Sequence, residues 1–472
     1  MVVYNLIYLF KVQLKCILFT LFLEFPRLTR NYQNKSTSDS SKKLMMTEIS
    51  DKGKPELFTY ENHDDSTDYS EDSDSHREPN FGLLFDIDGV LGRGLEVLPQ
   101  AAEAFKLLCD PDQKELRVPV ALVTNGSGDA TTKVQMVSKW FGIKIHPDQV
   151  IQAPSPLTVY KEYHDKCVLF IGQGNIVKLA NDLGFTNVVT LEDVKAAYPL
   201  LDMVDHENRR NIISNPPIPK PMKRIEAIIL TGEPAKWESS LQLLIDLLLT
   251  DGKPDEVPET FPEEHLPVIA CNMDLVYMDK ATLPRFGHGA FLVCLQTLYN
   301  QLTGYKLRYT SLLGKPSEIT FRFAEHILTL TSKRMGYKRP IDRLFFFGDN
   351  PDVDVLGSNL YNNFLRRFRH VSGGDKSPTE GHSQYKKVSV AQSRTVPPDA
   401  AFLPQTAKGI DSVLVRTGVY KPTDKTRVHY CHRDFQGAAD LVLPTFEVED
   451  CLEGVQLILN LQKFHPSKPN TK

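Results

Sequence analysis

The sequence predicts an α/β protein built on parallel sheets. Three observations carry that expectation: short runs apolar at every position, stretches between them with apolar residues at helical spacing, and polar or glycine residues directly after several runs. A strand buried on both faces reads as a continuous apolar run, and strands alternating with helices are joined by right-handed crossovers.

In chain order, the first strand is Phe81-Gly-Leu-Leu-Phe, ended by Asp86-Ile-Asp-Gly. Pro99–Cys109 has helical spacing, Val118–Val123 is a second buried strand, and Thr131–Phe141 is a second helix. Cys167–Ile171, Val188–Thr190, Ala227–Leu230 and Val268–Ala270 form a further strand set, with Trp237–Leu249 among its helices. Residues 204–222 and 251–265, rich in Pro, Asn and charge, read as loops. Helix Ala290–Leu302, the turn Gly314-Lys-Pro-Ser, helix Glu318–Arg334 and strand Arg343–Phe347 follow. Residues 370–408 lack any periodicity and read as a flexible insertion. Ser412–Val415 and Asp440–Leu443 are expected as the last strands.

Bulk composition narrows the class. At 472 residues the chain has material for several domains, and 41% hydrophobic with 24% charged residues is ordinary for a globular protein. A formal net charge of −4 gives no field that would attract nucleic acid. Seven scattered cysteines without a C-x-x-C pair argue for reduced thiols rather than disulfides or a zinc site.

The N-terminus departs from this picture. Residues 1–23 hold no acid and are mostly apolar apart from Lys11 and Lys15. Residues 1–30 read as a targeting segment, with a mitochondrial presequence, a membrane anchor and an upstream extension before Met45 or Met46 all left open. Membrane association is expected only through this segment. Residues 31–80, acidic and poor in apolar groups, cannot bury enough surface to offset ordering and read as a disordered linker.

Ligands of open α/β sheets bind at the carboxyl ends of strands, so the polar groups following each run are the candidate site. Asp86 and Asp88 leave one strand end together; two carboxylates so close repel unless a cation lies between them, and one could attack phosphorus while the other moves a proton. Alone, this pattern also suits calcium loops and plain turns. Thr124 and Asn125 end the next strand, where a hydroxyl and amides could hold phosphate oxygens or simply cap a turn. Lys315 could neutralise an oxyanion or lie on the surface beside a helix-starting proline. The acids of Gly348-Asp-Asn-Pro-Asp-Val-Asp354 follow so apolar a strand that burying them unpaired would be costly, and a metal would account for them.

Paired Asp, Thr, Lys and acidic loop, in that order, resemble the four signature motifs of the haloacid dehalogenase (HAD) superfamily. The resemblance implies a Rossmann-like core at 81–165 and 297–465 and an inserted α/β cap of the C2 type at 166–296. Glu226-Ala-Ile-Ile-Leu-Thr-Gly-Glu and Pro267-Val-Ile-Ala-Cys-Asn-Met-Asp are similar to segments of its NagD-like subfamily. It implies a Mg²⁺-dependent phosphatase of a small phosphate monoester. Asp86 would be the nucleophile that becomes an aspartyl-phosphate, Asp88 the general acid and base, and Thr124 and Lys315 the phosphoryl ligands. Asp349 would bind Mg²⁺ with Asp86 and the Asp88 carbonyl, and Asp354 would support that metal site. A glycerophospholipid-pathway substrate, a mitochondrial location and a homodimer are further implications. A phosphotransferase, or a non-catalytic scaffold keeping the fold, are the alternatives.

Two departures stand out. Val353 precedes Asp354 where the subfamily commonly has Thr, and Cys271 stands where a Thr is usual, a weaker hydrogen-bonding group. Arg285 and His288 fall where relatives build a specificity loop, so either is a candidate to touch the leaving group; a hinge ion pair is the plainer reading of Arg285. Gly172-Gln-Gly is too short for a dinucleotide fingerprint, and the glycosylation patterns at Asn34 and Asn125 are discounted.

Overall fold

Phe81–Phe85, β1, is buried at all five positions, as a central strand of a parallel sheet must be. The computed structural model describes residues 78–110, 115–126, 128–204, 206–256, 258–277, 285–372, 403, 405–422 and 439–465. After β1 come α1 (Pro99–Leu108), β2 (Val120–Thr124), α2 (Ala130–Phe141), β3 (Val150–Gln152), β4 (Cys167–Ile171), α3 (Ile176–Asp182) and β5 (Asn187–Val189). Then follow α4 (Leu191–Ala197), α5 (His206–Ser214), β6 (Ala227–Leu230), α6 (Trp237–Leu249), β7 (Val268–Cys271), α7 (His288–Thr303), β8 (Ser311–Leu313) and α8 (Glu318–Arg334). The chain closes with β9 (Arg343–Gly348), α9 (Leu356–Ser372), β10 (Gly409–Val415), β11 (Phe446–Val448) and α10 (Cys451–Leu461).

These strands form two parallel sheets, ordered β11-β10-β9-β1-β2-β3 and β8-β7-β6-β4-β5. The α/β class expected from the sequence is the class observed.

Alternation along each strand builds the layers. In the first sheet Leu83, Phe85, Phe345 and Phe347 face α1 and α10, while Leu84, Leu344 and Phe346 face α8 and α9. The Phe85 and Phe347 rings stack with centroids 4.5 Å apart. Each such buried side chain contributes about 1.5–3 kcal/mol, which fixes the register that sets the strand ends level. Helix ends are set locally: Asp129 caps α2 by accepting from Thr132 N–H at 2.8 Å, and Gly142 closes it with φ 65°.

Four expectations need correction. A boundary at residue 296 cuts through α7, whose Phe291, Leu292, Leu295 and Tyr299 pack in the core of the second sheet; β8, missed in the sequence because it is only three residues long, pairs there with β7. Residues 206–214 are helical rather than loop, without a single buried side chain, so no apolar period betrays them. Ala439–Val442 is a short 3-10 helix, and the last strand is β11, whose exposed Glu447 breaks the apolar run. Order begins before Phe81: Glu78 accepts from the N–H groups of Lys338 and Arg339 at 2.9 and 2.8 Å. Of the 370–408 insertion, α9 runs on to Ser372, and residues 373–402 lie outside the described residues, as do the targeting segment and residues 31–77. Among the described residues no helix is long and apolar enough to cross a membrane.

Candidate active site

Because Phe85 pairs in register with Phe347 and with Leu122, the chain leaves β1, β9 and β2 at one level. Asp86 and Asp349 therefore emerge side by side, with Thr124 at the end of β2 beside them. Lys315 arrives from elsewhere: it follows β8 of the second sheet and directly precedes α8, which packs on the first. Asp274 follows β7, the neighbour of β8, and the second sheet presents both residues to the first.

The centre is a buried charge cluster. Lys315 Nζ lies 2.9 Å from Asp86 Oδ1 and 2.8 Å from Asp354 Oδ1, and its side chain is only 2% exposed. Asp354 Oδ2 accepts from the N–H groups of Asp349 and Asn350, both at 3.0 Å. Asp354 thus anchors Lys315 by an ion pair, while its Oδ1 has no hydrogen-bond partner among the described residues and it remains one of three acids that could hold a metal. Asp86 Oδ1 also accepts from Ile87 N–H at 2.8 Å, and Asp349 Oδ2 from Val419 N–H at 2.6 Å. Asp86 Oδ2 and Asp349 Oδ1 carry no hydrogen bond from the described residues. Burial drives the Asp86 carboxyl well above its ordinary value, Lys315 opposing and the neighbouring acids adding; burial and then Asp354 push Asp349 up to about 7. Lys315 stays above the usual lysine value: burial would lower it, but Asp354 and Asp86 more than offset that.

Carboxylate oxygens of Asp86, Asp349 and Asp354 lie within 4.8 Å of one another. Three buried acids against one ammonium leave negative charge uncompensated, and two oxygens are unspent. A hard divalent cation fits that donor set.

Around this centre the expected residues divide. Thr124 is buried, its Oγ1 accepting from Gly126 N–H at 3.0 Å. Asp88 is exposed at the mouth of the cluster. Asn125 is not available as a ligand through its side chain: Oδ1 accepts from Lys315 N–H at 2.7 Å, and Nδ2 donates to Lys315 O at 2.9 Å and to the Asp274 carboxylate at 3.0–3.1 Å. His288 cannot touch a leaving group. It is wholly buried, Nδ1 against Cys271 O at 2.5 Å, and burial pulls it down to about 4, so the ring is neutral. Arg285 lies exposed on a short antiparallel pair with Tyr277, which grows out of the Asn272–Asp274 turn.

Sequence patterns missed four contributors. Asp274 gives its carboxylate to Asn125. Val419 acts only through its N–H, and Gly418 packs so tightly that a Cβ would fall 1.8 Å from Asp349 Oδ2. Lys133, in the first turn of α2, brings its ammonium to Gly126 O at 3.3 Å, close to Asp88. A backbone N–H and a missing side chain leave no mark in residue patterns; the glycine shortly after the end of β10 is the one usable signal.

Residues 83–186 match the haloacid dehalogenase-like hydrolase family. The chain is similar to "Mitochondrial hydrolase YKR070W" of Saccharomyces cerevisiae, 28% identical over 307 residues that cover 59% of this chain and 84% of that protein. It is also similar to the "Cardiolipin synthase (CMP-forming) / mitochondrial hydrolase fusion protein" of Schizosaccharomyces pombe, 30% identical over 300 residues, 62% of this chain and 49% of that protein; it thus spans about half the length of that relative. A solved "possible sugar phosphatase, HAD superfamily" from Cytophaga hutchinsonii is 18% identical with a TM-score of 0.44, over 79% of this chain and 95% of that one. Over residues 83–186 the chain is thus similar to the haloacid dehalogenase-like hydrolases, and over a longer stretch to a protein named as a mitochondrial hydrolase.

Proposed function

We propose that this hydrolase is a Mg²⁺-dependent phosphatase of small phosphate monoesters. The observation that carries the reading is Lys315, held between Asp86 and Asp354 in a buried cluster beside an unspent oxygen of Asp349. Phosphoryl transfer is mainly a problem of alignment and charge placement, and this cluster provides both.

Asp86 attacks phosphorus, and the bond to the ester oxygen breaks as that oxygen takes a proton from Asp88. Water then attacks the aspartyl-phosphate and gives a proton to Asp88, releasing inorganic phosphate and restoring Asp86. Lys315 and the Thr124 hydroxyl hold the equatorial oxygens. Asp86 and Asp349 would hold the Mg²⁺, which offsets negative charge on the transferring group. Lys315, with its Asp354 anchor, stays charged throughout.

Two further readings belong to the same proposal. The names of the two yeast relatives, and the acid-poor segment at residues 1–23, support a mitochondrial location. The fusion of one relative with a cardiolipin synthase supports a substrate from glycerophospholipid metabolism.

Turnover of a panel of phosphate esters with Mg²⁺, in wild type and Asp86→Asn, tests the reading. Release of phosphate by wild type, abolished in the variant, is the expected result. An inactive wild type across the panel would favour the non-catalytic scaffold; phosphate appearing on an added alcohol would favour a phosphotransferase.

A further inference from the structure

Gly126 is the meeting point of three polar groups from outside the Lys315–Asp354 pair. A Cβ built on Gly126 would lie 2.8 Å from Lys133 Nζ, 3.2 Å from Thr124 Oγ1 and 3.8 Å from Asp88 Oδ2. An ammonium, a hydroxyl and a carboxylate from three segments therefore close in on a residue whose missing side chain lets them approach. Thr124 is where a phosphoryl oxygen is placed by the reading above, and Asp88 is the group that protonates the leaving oxygen. By that reading the Lys133 ammonium lies beside the departing leaving group.

Lys133 is half-buried there, and its one hydrogen bond among the described residues is the 3.3 Å contact to Gly126 O. No carboxylate of the described residues lies within ion-pairing distance of it, although Asp88 and Asp86 are the acids nearest to it. An ammonium has three N–H groups, so donors remain unspent in a partly dehydrated cleft. Lys315, by contrast, is held between the Asp86 and Asp354 carboxylates. The two lysines thus have different tasks.

We infer that Lys133 selects substrates whose leaving group carries a second anionic group, a carboxylate or a phosphate, close to the ester oxygen, which pairs with the Lys133 ammonium beside Asp88. A second anion there pairs with the unspent ammonium, whereas a neutral leaving group does not use it. A charge-assisted hydrogen bond of this kind corresponds to roughly tenfold or more in affinity. This inference rests on the phosphatase reading and names the substrate class for it.

The test compares kcat/KM for ethyl phosphate, phosphoglycolate and ethylene glycol bisphosphate, all with Mg²⁺, in wild type, Lys133→Gln and Lys133→Arg. Wild type is expected to prefer one or both doubly anionic esters over ethyl phosphate by roughly tenfold or more, mainly through KM. The choice between carboxylate and phosphate is read from which of the two is preferred. Lys133→Gln is expected to erase the preference, its loss on the doubly anionic esters exceeding its loss on ethyl phosphate by roughly tenfold or more, and Lys133→Arg to restore most of it. An equal loss on all three esters in Lys133→Gln would make Lys133 a ligand of the transferring phosphoryl group or a structural prop, and overturns the inference. So does a wild type without preference, although the phosphatase reading survives that result. Hydrolysis of none of the three overturns this inference and counts against the phosphatase reading, which the wider panel then decides.

Discussion

The side-chain amide of Asn125 grips both backbone groups of Lys315, accepting from its N–H at 2.7 Å and donating to its carbonyl at 2.9 Å. The remaining donor goes to Asp274, so one amide ties the end of β2 to two loops of the second sheet. The lysine of the charge cluster is aimed by a residue 190 positions earlier.

Asn125→Ala should therefore act through Lys315. It leaves the Lys315 N–H and carbonyl unpaired in a buried turn, a loss of about 2–3 kcal/mol in urea unfolding. A misplaced Lys315 should also lower kcat by roughly 100-fold with a smaller change in KM. Unchanged kcat in a folded variant would show that the grip is dispensable.

Lys315→Met removes the ammonium from between two buried carboxylates. Breaking such a pair should cost about 3–5 kcal/mol, measured by denaturant unfolding of the metal-free protein. Full stability would mean that the acids find another partner.

Gly418→Ala tests the wall behind Asp349. A Cβ only 1.8 Å from Asp349 Oδ2 must push the carboxylate out of place. Calorimetric titration should show Mg²⁺ binding weakened by roughly 10- to 100-fold, the usual cost of disturbing a group that orients a ligand. In wild type, Mg²⁺ at about 100 times its dissociation constant should add about 2.7 kcal/mol of stability, and Gly418→Ala should lose most of that gain at the same concentration.

His288 predicts a pH slope. Its folded value lies at about 4, below the ordinary 6.5, so the unfolded chain takes up a proton first as pH falls. The stabilisation is complete above pH 6.5 and is lost as pH falls toward 4, by up to about 3 kcal/mol. Unfolding free energies across that window should show the slope in wild type and not in His288→Gln. The same slope in both would assign it to other groups.

Much of this was legible in the residue pattern. Apolar runs such as Phe81–Phe85 and Arg343–Gly348 announce buried strands because parallel strands are covered on both faces, and Asp86, Thr124 and Asp349 stand out as the polar groups that end them. The exposed α5 and the three-residue β8 were not legible, since neither carries a period long or apolar enough to register. His288 was legible as a position and misread as a ligand, and the grip of Asn125 on Lys315 left no mark, because hydrogen bonds over such distances in sequence leave no local trace.

The sequence by itself determined the class of fold and the order of the chemical groups, because burial patterns and strand ends are local properties of the chain. Tertiary structure alone decided what each group does: that Asp354 anchors Lys315, that Asn125 aims it, that Val419 lends Asp349 a backbone N–H, and that Lys133 meets Asp88 over Gly126. Those roles depend on which atoms lie within 3–4 Å after two sheets have packed, a distance that spacing along the chain does not encode.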